Sequence, residues 1–343
     1  MNPATPLTPD HLLQTGLAFF KSKTVLSAVE LGLFDALADG PLTAEQLRER
    51  LQLHPRAVPD FTDALVALGL LEREGDGPLA AYRNTPETQA FAVRRDPRYV
   101  GGILEMANAR LYPFWGDLTN ALRTGQPQNE VRHGGASMFA KLYEDPARLE
   151  QFMAAMSGIS AGNFQLLAEK FDWASVRTMA DVGGATAQLS RILAKRHPHL
   201  WCTSLDLPEV TKIAQRHIDA DGLTHRVGAW PLDFFADPFP TVDVITMGMV
   251  LHDWNLEKKL ALMRKAYDAL PDGGCLIAID NLIDDQRRTN DFGLLMSLNM
   301  LIEFGDAFDY SGADFDGWAK EVGFTRTEVI PLAGPGAAAV AWK

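Results

Sequence analysis

The chain has 343 residues, 47% of them hydrophobic, and a formal net charge of −12 from 32 basic and 44 acidic side chains. That length suits two domains, or one large domain with an appendage, around a sizeable core. The acidic balance argues against nucleic acid and anionic membrane as partners, and no run of about 18 apolar residues reads as a membrane span. Cys202 and Cys275 are too few for a disulfide framework or a thiolate zinc site.

The first residues, "MNPATPLTPDHLLQ", have neither the basic head nor the apolar core of a secretion signal, so a reducing cytoplasm is the expected compartment. Residues 11–38 carry apolar side chains at helical spacing, among them Leu12, Leu13, Leu17, Phe20, Val29 and Phe34. In "GPLTAEQLRERL", Thr43 is the expected N-cap, with Gln46 at capping-box spacing. Pro55 is expected in the first turn of the next helix, which should stop near Gly69. "LLEREGDGPLAAYRNT" then reads as strand, turn and strand. Helix, turn, helix and small hairpin outline a winged helix. Its second helix, residues 56–70, carries Asp60 and Asp63 with one arginine, whereas a DNA-reading helix offers several basic or amide groups. The module therefore reads as a packing or dimerisation unit.

Residues 97–172 stay helical in pattern and are rich in aromatics and methionine: Met106, Tyr112, Phe114, Trp115, Met138, Phe139, Tyr143, Phe152, Met153, Met156 and Phe164. Such residues form core, or wall a flat apolar ligand. After Trp173, "RTMADVG", "WCTSLDLP", "VDVITMGMVL" and "GCLIAIDNLI" read as strands alternating with helices at 187–197, 208–219 and 257–270. That alternation implies a parallel α/β sheet with ligands at the strand C-termini. "FTRTEVIPLAGPGAAAVAWK" reads as an antiparallel hairpin at the sheet edge. The expected domains are 1–165 and 166–343.

The first of these strands runs into "DVGGATAQLS". Asp181-Val182-Gly183-Gly184 would turn the backbone tightly beside a ligand, and the helix that follows favours a negative group. The dinucleotide fingerprint is incomplete, because Ala185 and Ala187 stand where glycines would, and no Walker lysine follows. Asp206 ends the second strand, where a carboxylate accepts from ribose hydroxyls. A ligand without phosphate tolerates the missing glycines best. The loop therefore points away from NAD and toward S-adenosylmethionine.

"DVGGATAQL", "LDLPEV", "DFF", "VLHDWNLEKKLALMRKAYDALPDGGCLIAID" and "DFDGWAKEVGF" occur in this order. Together they resemble the plant-type small-molecule O-methyltransferases, the family of caffeic acid and acetylserotonin O-methyltransferases and their bacterial relatives. The resemblance extends to the N-terminal "AVELGLFDAL", "LTAEQL" and "LVALGLLER". It implies an α/β fold: a Rossmann-like methyltransferase domain, mostly parallel with an antiparallel edge hairpin, plus a mainly helical, winged-helix-like dimerisation domain. It also implies an intertwined homodimer in which Phe19 or Phe20 closes the partner's pocket. The family loop is Gly-Gly-Gly-x-Gly. This chain matches at Gly183 and Gly184 and departs at Ala185 and Ala187, which implies a slightly displaced ligand or helix and not a lost site. Asp206 matches the ribose-binding acid and Leu207 the residue beside the adenine. Asp233 and Phe234 match adenine contacts, and Asp181 and Trp254 complete the cofactor candidates. Gly248 stands where the family often has a lysine.

His252, in "VLHDW" just past a strand end, is the candidate base. A neutral imidazole there can take the proton of a phenol or hydroxyl. A buried, hydrogen-bonded structural histidine is the alternative. Asp280, at the next strand end, is the expected carboxylate orienting His252, or else a helix cap. Alignment with the family's third acid selects Asp309, with Asp306 and Glu303 left open. "MSLNMLIEF" reads as a helix over the pocket with Met296, Asn299, Met300 and Glu303 on one face. The substrate candidates are Trp115, Phe139, Met153, Met156, Asn299, Met300 and Glu303.

The reading is therefore an S-adenosylmethionine-dependent O-methyltransferase acting on a small aromatic alcohol, with no metal. The alternatives are metal-assisted C-methylation of a 2-oxo acid starting from His252 and Asp253, an S-adenosylmethionine-sensing regulator, and a cofactor-binding relative that catalyses a different reaction.

Overall fold

The computed structural model describes residues 7–96, 98–133, 142 and 146–343. It divides into two compact units between Tyr112 and Pro113. No helix among the described residues is long and apolar enough to cross a membrane.

In the first unit the apolar stretch at 11–38 is three helices, α1 (Asp10–Gly16), α2 (Ala18–Glu30) and α3 (Leu33–Ala36). The second break is at Gly32, which takes the left-handed conformation (φ 69°) that ends a helix cheaply. β1 (Leu42–Thr43) leads into α4 (Ala44–Leu51). Here Thr43 and Gln46 form the expected capping box: Gln46 N donates to Thr43 Oγ1 at 3.3 Å and Thr43 N to Gln46 Oε1 at 2.8 Å. α5 (Val58–Ala67) starts later than the sequence suggested, so Pro59 and not Pro55 sits in its first turn. Gly69, with φ 74°, follows its end. β2 (Leu71–Glu74) and β3 (Ala81–Asn84) form the hairpin, and β1 adds to β3 to give the antiparallel order β1-β3-β2. The unit's core gathers Val29, Leu33, Phe34, Leu47, Leu65 and Tyr82. α1 buries nothing, with Leu12 and Leu13 exposed, and Leu17, Phe19 and Phe20 at the start of α2 are exposed as well.

The second unit holds α6 (Leu118–Thr124), α7 (Pro146–Lys170), β4 (Thr178–Val182), α8 (Gln188–Arg196), β5 (Trp201–Asp206), α9 (Pro208–Ala220) and β6 (Val227–Pro231). After these come β7 (Val244–Gly248), α10 (Leu256–Ala269), β8 (Cys275–Asp280), α11 (Asp291–Phe304), α12 (Gly312–Val322), β9 (Arg326–Pro331) and β10 (Ala337–Trp342). α7 crosses position 165/166 without interruption and packs on α8, within the unit that begins at Pro113.

The seven strands lie in the order β6-β5-β4-β7-β8-β10-β9. β4 to β8 pair in parallel, and β10 pairs antiparallel with both β8 and β9. β7 and β8 are buried along almost their whole length, which is why they read as continuous apolar runs. One face of the sheet is covered by α10 and α12 through Leu262, Met263, Phe315 and Ala319. The other is covered by α7, α8 and α9 through Leu167, Leu189, Leu193 and Ile218. Strand order reverses between β4 and β7, which opens a crevice at their C-terminal ends.

Candidate active site

A cavity of about 350 Å³ fills that crevice. Its floor is the turn after β4. Gly183 has φ 73°, and a Cβ on it would lie 2.7 Å from Val250 Cγ2; one on Gly184 would lie 2.2 Å from Ser204 Oγ. Ala185 and Ala187 keep left-handed backbones, with φ 50° and 56°. The loop therefore holds the conformation glycine favours and stores about 1–2 kcal/mol of strain at each alanine.

That conformation aims the Ala185 N–H at Asp206. Asp206 Oδ2 accepts from Ala185 N at 2.9 Å and Oδ1 from Leu207 N at 2.8 Å. Burial pushes the Asp206 carboxyl up to about 6, against the pull of those two bonds. Asp181 is also buried and accepts from Thr246 Oγ1 at 2.7 Å. Burial takes its carboxyl to about 7, with Asp206 adding repulsion. From α7, Phe152, Met153, Met156, Ser157, Ser160 and Phe164 face the same space, and Ser157 shares a 2.7 Å hydrogen bond with Thr186 of the loop. Asp233 Oδ1 accepts from Phe235 N at 2.9 Å, which folds the turn that presents Phe234 and Phe235. Phe235 meets Trp254 edge-on with centroids 4.7 Å apart.

His252 lies beside this cavity, in a short 3₁₀ turn after β7, and is 4% exposed. Asp253 Oδ1 is 3.3 Å from its Nε2, and Asp309 Oδ1 is 3.3 Å from its Nδ1. Burial alone would lower the imidazole pKa. The carboxylates of Asp253, Asp309 and Asp280 outweigh it and raise it to about 10. Asp280 accepts instead from the buried Tyr310 hydroxyl at 2.6 Å, and its own carboxyl is pushed to about 7, chiefly by burial. Burial also lifts Asp253 to about 6, against the opposing charge of His252.

Two family models match the chain, an O-methyltransferase domain over residues 115–325 and an O-methyltransferase dimerisation domain over residues 13–94. The chain belongs to the O-methyltransferase family. The tetracenomycin polyketide synthesis 8-O-methyl transferase TcmO of Streptomyces glaucescens is 40% identical over 98% of this chain and 97% of its own. The N,N-dimethyltransferase OxyT of Streptomyces rimosus is 39% identical over 93% of each. The crystal structure of human N-acetylserotonin methyltransferase in complex with S-adenosylmethionine superposes with a TM-score of 0.90 at 27% identity, covering 100% of this chain and 99% of that one. The protein is an S-adenosylmethionine-dependent O-methyltransferase of secondary metabolism.

The cavity of this methyltransferase fits its cofactor by the chemistry of its donors and acceptors. Two carboxylates, the buried Asp181 and the half-buried Asp206, suit a ligand that brings a positive charge and hydroxyl donors. Gln188 Oε1 and Trp254 Nε1, both from cavity-lining residues, are buried without a protein partner. Phe164 packs where a side chain at residue 248 would begin, since a Cβ on Gly248 would touch its ring at 3.4 Å.

All eight cofactor candidates, Asp181, Gly183, Gly184, Asp206, Leu207, Asp233, Phe234 and Trp254, line this one cavity, and so do Met153 and Met156, expected on the substrate side. Of the other substrate candidates, Trp115 Nε1 donates to Asn299 Oδ1 at 2.9 Å, and Asn129 Nδ2 to Glu303 Oε2 at 3.1 Å. Met300 is buried on the same helix, and Phe139, like Met138 and Tyr143, lies outside the described residues. Asp309, expected as the third acid, touches the imidazole at Nδ1, whereas Asp280, expected to orient it, is bonded to Tyr310. Asp309 reaches Nδ1 from the turn after α11. Asp306 accepts from Asn255 at 2.7 Å. Among the described residues no group of three His, Cys, Asp or Glu side chains is arranged to hold a metal ion.

Sequence reasoning missed Ser157, Ser160, Thr186 and Gln188. Met153, Met156, Ser160 and Phe164 recur at helical spacing, so the shared face of α7 was visible in principle.

Proposed function

We propose that the enzyme methylates a hydroxyl of a small, flat aromatic metabolite, with His252 as general base. The observation that carries this reading is the buried imidazole with a carboxylate 3.3 Å from each ring nitrogen, next in sequence to two cavity-lining residues, Asp253 and Trp254. Bound S-adenosylmethionine supplies an electrophilic methyl group. Asp206 would hold the ribose, Leu207, Phe234 and Trp254 would enclose the adenine, and Asp181 would face the charged end. Asp309 orients the ring from Nδ1. Nε2 is assigned to the acceptor, because its neighbour Asp253 lines the cavity while Asp309 is sealed off. The acceptor O–H would give its proton to neutral His252 as its oxygen takes the methyl group and the sulfonium C–S bond breaks, leaving an ether, S-adenosylhomocysteine and an imidazolium. Phe152, Met153 and Met156 on α7, with the Trp115–Asn299 pair, supply an apolar wall with one polar mark. The named activity of TcmO in polyketide synthesis fits such an acceptor.

The test is a panel of hydroxynaphthoates and hydroxyanthraquinones with S-adenosylmethionine, read by mass spectrometry, with His252→Ala alongside. O-methylated product that disappears in the variant is expected. Product methylated on carbon, or turnover unchanged in His252→Ala, overturns the reading.

The same proposal includes a homodimer and a cytoplasmic enzyme. The dimerisation-domain match and the exposed Leu12, Leu13, Leu17, Phe19 and Phe20 support the dimer, since helices this apolar need a covering surface. Light scattering should give twice the 37.7 kDa chain mass. A monomer would refute it.

A further inference from the structure

The unexplained group near the site is a lysine. Lys259, on α10, is 0% exposed, which is rare for this side chain and costly for its charge. Its ammonium donates to two backbone carbonyls, Trp254 O and Phe308 O, the latter at 2.8 Å. Its third side rests on the Phe308 ring, with Nζ 3.9 Å from the centroid, and Tyr310 lies beyond at 5.8 Å. The two carbonyls belong to segments far apart in sequence: Trp254 is two residues after His252, and Phe308 immediately precedes Asp309. A single nitrogen thus ties together the two strands of backbone that carry the imidazole and the carboxylate touching it.

We infer that Lys259 is a positioning residue of the methyltransferase, clamping the 254 and 308 carbonyls so that Asp309 stays against His252 Nδ1. The charge around it explains why an ammonium is kept there and not a neutral donor. Asp253, Asp280, Asp306 and Asp309 all act on it, and burial still drives its pKa down to about 8. Lys259 in turn eases the ionisation of Asp253. Glu303, from α11, also adds its field at Asp253, and Tyr310 caps Asp280. A cluster of three carboxylates around one imidazole is held in place by one buried cation.

The bearing on catalysis rests on His252 being the base, which turnover of His252→Ala tests separately. The clamp itself is tested without turnover. The pKa of His252 is followed by nitrogen-15 NMR on the full chain with S-adenosylhomocysteine bound, in wild type, Asp309→Asn, Lys259→Met and the double variant. Asp309→Asn should lower the His252 pKa by about one unit or more in the wild-type background, and by less than about half as much once Lys259 is gone, because the contact is then already loosened. A role limited to the field of the ammonium, or to general stability, leaves the Asp309→Asn shift equal in both backgrounds, and that result overturns the inference. So does an Asp309→Asn variant that leaves the wild-type His252 pKa unmoved. Lys259→Gln, which removes the charge but keeps a donor for one carbonyl, carries the same comparison if Lys259→Met does not fold. With it, a partial loss of coupling is expected, and full additivity again overturns the clamp.

Discussion

Asp206 offers the sharpest measurement of the cofactor site. Each of its oxygens already accepts one backbone N–H, from Leu207 at 2.8 Å and from Ala185 at 2.9 Å, and each keeps a second lone pair. Two ribose hydroxyls would use both. Hydrogen bonds to a charged group are worth about 1.5–3 kcal/mol each. The lower value is used here, because the same hydroxyls are already hydrogen-bonded to water in the free cofactor. Asp206→Ala should then cost about 3 kcal/mol of cofactor binding, on the order of 100-fold in Kd. Asp206→Asn keeps one acceptor oxygen and should cost about tenfold.

Calorimetric titration with S-adenosylhomocysteine at pH 8 measures both variants. A Kd for Asp206→Ala within about threefold of wild type would refute the ribose assignment. The pH dependence gives an independent check. The carboxyls of Asp206 and Asp181 sit at about 6 and about 7, raised mainly by burial. A group with a raised pKa takes up its proton early as pH falls, and the protonated form accepts poorly. Wild-type affinity should therefore be full at pH 8 and fall as pH drops through 7 and 6. Asp206→Asn should lose the lower part of that fall and keep the part that belongs to Asp181.

The His252 pKa of about 10 is set by burial against three carboxylates, so kcat/KM should rise with pH through 8–10, where the neutral base appears; a flat profile refutes the base assignment. Asp309→Asn should depress kcat more than Asp280→Asn, because, of these two acids, Asp309 is the one that touches the imidazole; the reverse order restores the strand-end acid as the orienting group. Tyr310→Phe leaves the buried Asp280 carboxyl without its 2.6 Å donor, which should cost about 1–3 kcal/mol and lower Tm by about 2–4 °C per kcal/mol. An unchanged midpoint would show that Asp280 finds another partner.

The strands of the catalytic unit were legible because β4, β7 and β8 are buried on both faces and spelled as short, mainly apolar runs. β6 was not read as a strand. It lies at the sheet edge with Gly228, Trp230 and Pro231 partly or fully exposed, so neither an apolar run nor strict alternation marks it. The clustering of the cofactor candidates was legible because they follow strand ends, where topology converts sequence order into a common cavity. The carboxylate beside His252 Nδ1 was not. Strand-end logic selects Asp280, but Tyr310 intercepts that carboxyl, and Asp309 reaches His252 from a turn whose path depends on Lys259. Nothing in local spacing records a contact made by a residue 57 positions away in sequence. Pro55 was misplaced for a smaller reason: Pro55 and Pro59 are both compatible with a helix start, and tertiary packing of Val58 chose the later one.

The acceptor atom can be argued from the charge around His252 more directly than from identity, since TcmO and OxyT stand at 40% and 39% and carry O- and N-methyltransferase names. An amine attacks as its neutral form and sheds its proton after the methyl group has arrived, so it gains little from a strong base beforehand. A phenol must give up its proton as it attacks. The rate then depends on how strongly the neutral imidazole attracts that proton. Asp253, Asp280 and Asp309 bring the His252 imidazole to about 10, whereas burial alone would have weakened it. This arrangement is useful to a hydroxyl acceptor and wasteful for an amine. A matched pair of probes, a hydroxynaphthoate and the corresponding aminonaphthoate, should therefore respond differently to His252→Ala: O-methylation should fall by about 100-fold or more, while any N-methylation should change by less than about threefold. Equal losses on both acceptors would mean that His252 positions the substrate and moves no proton.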